Sequence, residues 1–120
     1  MNSSFEFKKI RKECLMHLPT DKEVVVLQIL CKSSKEMYGL EMVKEQPFQL
    51  RHSSIYVLLT RMVARGYLHA RDETVEERLA PGPKKRLYEA TEYGEAMLAV
   101  REVAFPLFTK AQKLKQKGTL

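Results

Sequence analysis

Features that mark secreted, disulfide-bonded or membrane proteins are scarce in this sequence. It has two cysteines, Cys14 and Cys31, and each lies within a helical pattern of apolar residues. This placement predicts reduced, buried thiols rather than a disulfide framework. No apolar run approaches the roughly 20 residues that cross a bilayer, and the N-terminus lacks the apolar region of a secretory signal. We therefore expect a cytoplasmic protein with no membrane partner.

Signatures of catalysis and of metal or cofactor binding are also lacking. The sequence contains no G-x-S-x-G motif, no P-loop and no dinucleotide-binding fingerprint. Its three histidines, His17, His52 and His69, are scattered along the chain. Cys14 and His17 have a ligand-like spacing within one helical turn, but packing explains it better because no second pair of ligands follows. We expect no enzymatic activity, no cofactor, and no catalytic or metal site.

Positive charge is in excess, and its distribution is uneven. The formal net charge is +6 and the pI is about 9.4, which favours a polyanionic partner without identifying one. From Arg51 to Arg71 the chain has four arginines and no acidic residue, and a second basic cluster follows at Lys84-Lys85-Arg86. The length of 120 residues is that of a single domain.

The segment from Leu50 to Leu68 predicts the central helix of this domain. Its apolar residues recur with a helical period and form one face. They are Ile55, Leu58, Leu59, Met62 and Val63. The opposite face carries hydroxyl and basic groups without a carboxylate: Ser53, Ser54, Tyr56, Thr60, Arg61 and Arg65. Gly66 is expected to end the helix because glycine adopts positive φ without a Cβ clash. Such a helix is more often a core helix with a solvated back, but this cationic back fits a DNA-recognition helix better.

Two predicted helices precede the central one. Thr20 and Glu23 form a capping box at the start of a largely apolar helix over residues 21–33. A short helix over about 37–46 ends before Pro47, because a residue that precedes proline avoids the α conformation. The short helix, a turn and the central helix constitute a helix-turn-helix.

Two short strands, over residues 67–71 and 86–90, are predicted after the central helix. The Pro81-Gly82-Pro83 sequence is a turn signal between them. A helix-turn-helix followed by such a hairpin is a winged helix. The basic cluster would then lie beside the recognition helix and neutralise backbone phosphates, although an exposed charged hairpin is a common alternative. The carboxylates of the connection are expected to point away from a duplex; they are Asp72, Glu73, Glu76 and Glu77.

The last part of the chain predicts a long helix capped by Thr91. Its apolar residues recur in steps of three and four, which is heptad spacing. A core face is the commoner explanation, but much of this stripe extends past a winged-helix core and needs a partner, such as a second copy. Pro106 is expected to kink or split the helix near residues 102–103. The predicted dimer interface comprises Tyr93, Met97, Val100, Ala104, Leu107, Phe108, Ala111 and Leu114.

Three segments of the chain share their order and spacing with a known family: MYGLEMVKE, LRHSSIYVLLTRMVARGYL and GPKKRLYEATEYGEAML. Through them the sequence resembles the PadR family of bacterial transcriptional regulators over about residues 24–98. The resemblance implies a homodimeric winged helix whose last helix, often with the first, forms the dimer. It also implies that Tyr56 and the residues just before it face the DNA, and that the basic cluster belongs to the wing. Members sometimes bind planar aromatic effectors between subunits, but no residue here singles one out.

The predicted fold is mainly α with a small β-hairpin (α+β): a winged helix-turn-helix with N- and C-terminal dimerisation helices. Its predicted parts are an N-terminal extension helix (1–19), a DNA-binding domain (20–92) and a dimerisation helix with a tail (93–120). We predict a sequence-specific, double-stranded DNA-binding transcriptional repressor that acts as a homodimer. The helix of about 51–65 would enter the major groove, and the wing of about 68–90 would contact the backbone. The predicted DNA-binding residues are Arg51, His52, Ser53, Ser54, Tyr56, Thr60, Arg61, Lys84, Lys85 and Arg86. The alternative is a winged-helix protein-interaction module without specific DNA binding.

Overall fold

A computed structural model describes residues 18–78 and 81–118. In chain order the helices and strands are α1 (Asp21–Ser33), β1 (Met37–Tyr38), α2 (Gly39–Glu45), α3 (Ile55–Ala64), β2 (Leu68–Asp72), β3 (Arg86–Ala90) and α4 (Glu92–Gly118). The architecture is mainly α with one small sheet, as the sequence predicts. Most of the predicted N-terminal extension, residues 1–17, lies outside the described residues.

Helix α1 begins at the predicted capping box and passes through the centre of the core. The backbone N–H of Thr20 donates to Glu23 Oε1 at 2.8 Å, and the N–H of Glu23 donates to Thr20 Oγ1 at 3.4 Å. These two bonds satisfy backbone donors that the first helical turn leaves unpaired. The inward side chains of Val26, Leu27 and Leu30 are buried, so the largely apolar character of this helix reflects its place in the core.

The sheet has three antiparallel strands in the order β1-β3-β2, where the sequence predicts only two. Met37 and Tyr38 were expected to start the short helix, but they pair with Tyr88 and Leu87 of β3 instead. The prediction was wrong because a two-residue strand has no periodicity of its own and exists only where a neighbouring strand supplies partners. Helix α2 therefore starts at Gly39, and its first turn is closed by Glu41 Oε1, which accepts the N–H of Tyr38 at 2.9 Å.

Helix α3 begins at Ile55, about four residues inside the predicted range of 51–65, and Ser54, one of the three predicted caps with His52 and Ser53, is its N-cap residue. Residues 52–54 form a turn in which the N–H groups of Ser54 and Ile55 donate to the carbonyl of Arg51 at 3.2 and 3.0 Å. The helix ends as predicted at Gly66, which has a φ of +82°. Gly66 N–H donates to Val63 O and Tyr67 N–H to Met62 O, both at 3.0 Å, a pair of bonds that satisfies the last carbonyls of the helix.

The predicted apolar face of α3 is confirmed. Four of its residues are buried, Ile55, Leu58, Leu59 and Met62, and Val63 is half-buried against them. The face packs against α1, α2 and β2. Its burial fixes which side of α3 remains exposed.

Helix α4 is continuous from Glu92 to Gly118 and has Pro106 within it. Of the expected kink or split near residues 102–103, the split is wrong: proline removes one backbone donor, and the turns on either side maintain the helix. At about 1.5 Å per residue the helix is roughly 40 Å long. Only its beginning packs into the core, through Met97 and Leu98. The later turns leave large apolar side chains exposed.

Candidate nucleic-acid interface

One side of α3 and the turn before it form a continuous exposed surface. We call it the recognition face, and it consists of Arg51, His52, Ser53, Ser54, Tyr56, Val57, Thr60 and Arg61, all exposed. The structure thus brings seven of the predicted DNA-binding residues together, four of them in the turn and three on the helix. The eighth member, Val57, was missed because it is apolar and belongs to no polar pattern; its side chain is 71% exposed.

The wing, formed by β2, β3 and their connection, lies beside this face. A cleft of about 560 Å³ separates α2 and Tyr56 from the wing. The three predicted wing residues line it, together with a lysine of α2: Lys44, Lys84, Lys85 and Arg86. We call this groove the cationic cleft. It places the basic cluster of the wing beside Tyr56 of the recognition face, and it adds Lys44, which the sequence shows only as a polar residue of a short helix. Glu41 also lines the cleft.

Gly39 permits the close approach of α2 and α3 at the cationic cleft. A Cβ at this position would lie 3.1 Å from Leu59 Cδ1 and 3.2 Å from Tyr56 Cε1. The ring of Tyr56 therefore packs over the start of α2. Its exposed edge, half of the side chain, borders both the recognition face and the cationic cleft.

A buried carboxylate anchors the wing to β1. Glu73, only 6% exposed, accepts the hydroxyl of Tyr38 at 2.9 Å and the backbone N–H of Lys85 at 3.1 Å. The hydrogen bond to Glu73 raises the pKa of Tyr38 above its ordinary value. The Lys85 ammonium lies 5.9 Å from the centroid of the Tyr38 ring. Glu73 thus positions Lys85 at the cleft, and its own charge is directed into the protein.

Two further carboxylates of the connection are engaged by arginines. Glu77 receives both terminal nitrogens of Arg71 at 2.8 Å, and this ion pair lowers the pKa of Glu77 to about 2. Arg71 Nε also contacts Glu36 at 2.6 Å, and the two carboxylates raise the pKa of the guanidinium. Asp72 lies 3.6 Å from Arg86. These contacts reduce the repulsion that the acidic connection would exert on a polyanion.

Glu23 forms ion pairs with two arginines at the C-terminal end of α3. This carboxylate is fully buried, and Arg65 Nη1 contacts its two oxygens at 3.1 and 3.2 Å. Arg61 Nε lies 3.8 Å from the same group, with its side chain 49% exposed. The sequence reveals Glu23 only as a capping residue, because its arginine partners are about 40 positions away. The guanidinium of Arg61 therefore lies on the recognition face and is at the same time partly neutralised by the buried Glu23 carboxylate.

The residues Thr91 and Gly94 join the end of α3 to the start of α4. Thr91 Oγ1 lies 2.6 Å from the carbonyl of Gly66, to which it donates, and accepts the N–H of Gly94 at 2.9 Å. The Thr91 N–H donates to Tyr67 O at 3.0 Å. A Cβ on Gly94 would lie 2.2 Å from that same carbonyl oxygen. Only glycine permits this approach, so the motif ties the two helices into one unit.

The predicted dimer interface is divided by the structure. Met97 lies in the core of the same chain, and Tyr93 stacks on Tyr67 with ring centroids 5.6 Å apart. The later residues are largely exposed, and two neighbours that the heptad pattern missed, Val103 and Phe105, are exposed with them. We define the α4 stripe as Val100, Val103, Leu107, Phe108 and Leu114, each at least 40% exposed. Phe105 is exposed on another side of the helix, where its ring centroid lies 4.4 Å from Arg101 Cζ.

Other kinds of site find no support in residues 18–78 and 81–118. No three His, Cys, Asp or Glu side chains of this part lie together as metal ligands would. None of its helices has both the length and the apolar character that crossing a bilayer requires. Cys31 carries a half-buried thiol whose pKa is raised by burial, whereas Cys14 lies outside the described residues.

Comparisons with known proteins agree with this geometry. The profile of the transcriptional regulator PadR-like family matches residues 26–100. A PadR family transcription regulator from Clostridium difficile is 19% identical, with a TM-score of 0.59 over 81% of this chain and 99% of that one. A PadR-like transcriptional regulator from Bacillus cereus is 25% identical, with a TM-score of 0.52 over 78% of this chain and 90% of that one. The winged-helix fold and the resemblance found in the sequence are confirmed.

A third similar structure contains nucleic acid. It is PadR from Bacillus subtilis in complex with operator DNA, and it is 22% identical, with a TM-score of 0.53 over 64% of this chain and 44% of that one. A comparison with curated proteins found no match.

Proposed function

The chain belongs to the PadR-like family of transcriptional regulators, and we propose that it binds double-stranded DNA sequence-specifically as a homodimeric repressor. The observation that carries the proposal is the placement of the recognition face beside the cationic cleft. Hydroxyl groups and arginines meet lysines of the wing there, while the nearby carboxylates of Glu73 and Glu77 are held by contacts within the chain. The DNA complex of the similar Bacillus subtilis protein supports the same partner.

The recognition face is proposed to enter the major groove. Arg51, His52, Ser53 and Ser54 stand at the N-terminal end of α3, the part of a recognition helix that reaches base edges. Thr60 follows two turns along the same side. Tyr56, Lys84, Lys85 and Arg86 are proposed to contact backbone phosphates, and Lys44 joins them from α2. Arg61 contributes less, because Glu23 already neutralises part of its charge.

The α4 stripe is proposed to form the dimer. Five large apolar side chains on one projecting helix form a surface that water solvates poorly. Each is 40–66% exposed, so burying the exposed part would contribute roughly half of the ~1.5–3 kcal/mol of complete burial. Ala104 and Ala111 belong to the same interface, whereas Met97 does not, because it is already buried. Two copies joined in this way would present their recognition faces to half-sites about one helical turn, ~34–36 Å, apart. Such a dimer would obstruct polymerase at a promoter, hence the proposed repression.

The proposed organisation follows from these roles. Residues 20–92 form the DNA-binding domain, and residues 93–120 form the dimerisation helix and its tail. The beginning of α4 serves both, because Thr91 and Gly94 fix it to the end of α3. A rotation of one recognition helix relative to its partner would then require movement of the dimer helix.

Selection of duplexes from a random library tests the proposal. Full-length protein should enrich a palindromic motif, and titration of that duplex should give one dimer per site. Sizing of the protein alone should give a dimer at micromolar concentration. An absence of duplex binding even at low salt would contradict the proposal and favour the protein-interaction module instead.

A further inference from the structure

We propose that Val57 reads thymine: its methyl groups contact the 5-methyl group of a thymine in the major groove of each half-site. The inference rests on the proposed DNA-binding function and deepens it by assigning a base. It starts from an exception in the recognition face. Seven of the eight residues in that face are polar or aromatic with a hydroxyl, and Val57 is aliphatic and 71% exposed.

Val57 lies on the side of α3 that points directly away from the core. Ile55 and Leu59, two residues to either side, are 1% and 0% exposed. A helix turns about 100° per residue, so side chains two positions apart point in nearly opposite directions. If α3 enters a groove, Val57 is therefore among the side chains that reach furthest toward the base edges.

No contact among residues 18–78 and 81–118 explains a valine at this position. An exposed helical site gains stability from a good helix former, and valine is a weaker one than alanine, leucine, lysine or arginine. The side chain is not among those that pack against the core. Its branched Cβ does confer stiffness, since one χ1 rotamer dominates in a helix. Val57 thus presents two methyl groups in a fixed direction, at little cost in side-chain entropy on binding.

The surroundings of Val57 favour DNA over an apolar protein partner. On one side Val57 helps to line a groove that also contains Lys22, Arg51 and Arg61. On the other side Tyr56 borders the cationic cleft. A single apolar group between two basic flanks matches a duplex, in which apolar thymine methyls lie on the groove floor between two phosphate backbones. Contact with the thymine methyl is the one apolar feature by which the major groove distinguishes bases.

The test replaces thymine by deoxyuridine, which removes only the 5-methyl group. Each thymine of a selected duplex is substituted in turn, and the affinity of the full-length wild-type protein is measured. We expect a loss of roughly threefold to fivefold at one thymine in each half-site, the size of burying one methyl group, and no loss elsewhere. Val57→Ala should bind the thymine and deoxyuridine duplexes equally, because it lacks the contacting methyls.

Val75→Ala is the matched control, since Val75 is an equally exposed valine (77%) next to Glu76 and Glu77 in the wing. This variant should keep the wild-type loss at the same thymine. The inference is overturned if wild type tolerates deoxyuridine at every position, or if Val57→Ala retains the full loss. A wild-type protein that enriches no sequence would instead refute the proposed function, and the thymine contact with it.

Discussion

The recognition face and the α4 stripe are both exposed, but they differ in charge and polarity. The first is rich in hydroxyl groups and arginines, borders lysines, and has the nearby carboxylates turned to internal contacts. The second is a row of large apolar side chains on a helix that projects beyond the core. A polyanion suits the first surface, and a second apolar surface suits the other. Under the proposed function, one short chain would bind DNA mainly through electrostatic contacts and its second copy mainly through hydrophobic contacts, on elements that Thr91 and Gly94 join.

The largest effect of a substitution is expected at Gly94, where α3 and α4, which carry the two surfaces, are joined. Gly94→Ala would place a methyl group 2.2 Å from the carbonyl oxygen of Tyr67, and backbone cannot yield as a side chain does. We expect a loss of about 3 kcal/mol in the free energy of unfolding, measured by chemical denaturation. Gly39→Ala is the control, because its Cβ would meet side-chain atoms of Leu59 and Tyr56 at 3.1 and 3.2 Å. If both variants were equally stable, the junction would not require glycine.

The second largest effect is expected on dimer formation, from substitutions in the α4 stripe. Introducing two charges with Leu107→Glu and Phe108→Glu should give a folded monomer by analytical ultracentrifugation. The affinity for a palindromic duplex should fall at least tenfold, because the two half-sites are no longer bound by linked subunits. Lys113→Glu, an exposed change on the opposite side of the same helix, should leave the dimer intact. A double variant that remains dimeric would exclude the stripe as the interface.

A smaller effect is expected at the cationic cleft. Lys85→Ala should weaken binding to all duplexes similarly and reduce the slope of log K against log salt by about 0.9 per subunit, the value for one lost phosphate contact. Arg61→Ala should change the slope less, because Glu23 shares that charge. Lys110→Ala, on the α4 surface, serves as the control with an unchanged slope. Equal slopes for wild type and Lys85→Ala would remove Lys85 from the interface.

The smallest effect is expected on the pH dependence of thermal stability, through the ion pair between Glu77 and Arg71 in the wing. The pKa of Glu77 is lowered to about 2 by Arg71, compared with 4.5 for an ordinary glutamate. A lowered pKa stabilises the folded chain above pH 4.5, and this stabilisation is lost as the pH falls from about 4.5 to about 2. Glu77→Gln should therefore melt lower than wild type at pH 6, with the difference closing toward pH 2.5. A difference between Glu77→Gln and wild type that stayed constant over this pH range would contradict the ion-pair explanation.

Local signals in the sequence account for most of the fold. The Thr20–Glu23 capping box, the apolar period of α3 and the stop at Gly66 each depend on residues within a few positions, and each prediction is confirmed. Strand β1 forms only by pairing with β3, about 50 residues away, so no local sequence pattern predicts it. Pro106 shows the converse limit: a local rule predicts a break, but the turns on either side keep the helix continuous.

The candidate site was predictable in its polar part only. Basic and hydroxyl residues on the exposed side of a predicted helix can be recognised as a candidate site from their charge and their helical spacing. Lys44 does not, because its role depends on how α2 packs beside the wing. The ion pairs of Glu23 with Arg61 and Arg65 depend on a similar long-range approach. Val57 was not predicted as a site residue because an apolar residue indicates a binding surface only when it is exposed. Its exposure can be seen only in the folded chain.

Titration of the selected duplex with the wild-type protein at increasing salt tests the central claim most directly. Two phosphate contacts or more per subunit predict that log K falls linearly with log salt, with a slope of about −3.6 or steeper for the dimer. A slope near zero, or no binding at 50 mM salt or below, would contradict the assignment of the recognition face and the cationic cleft to DNA.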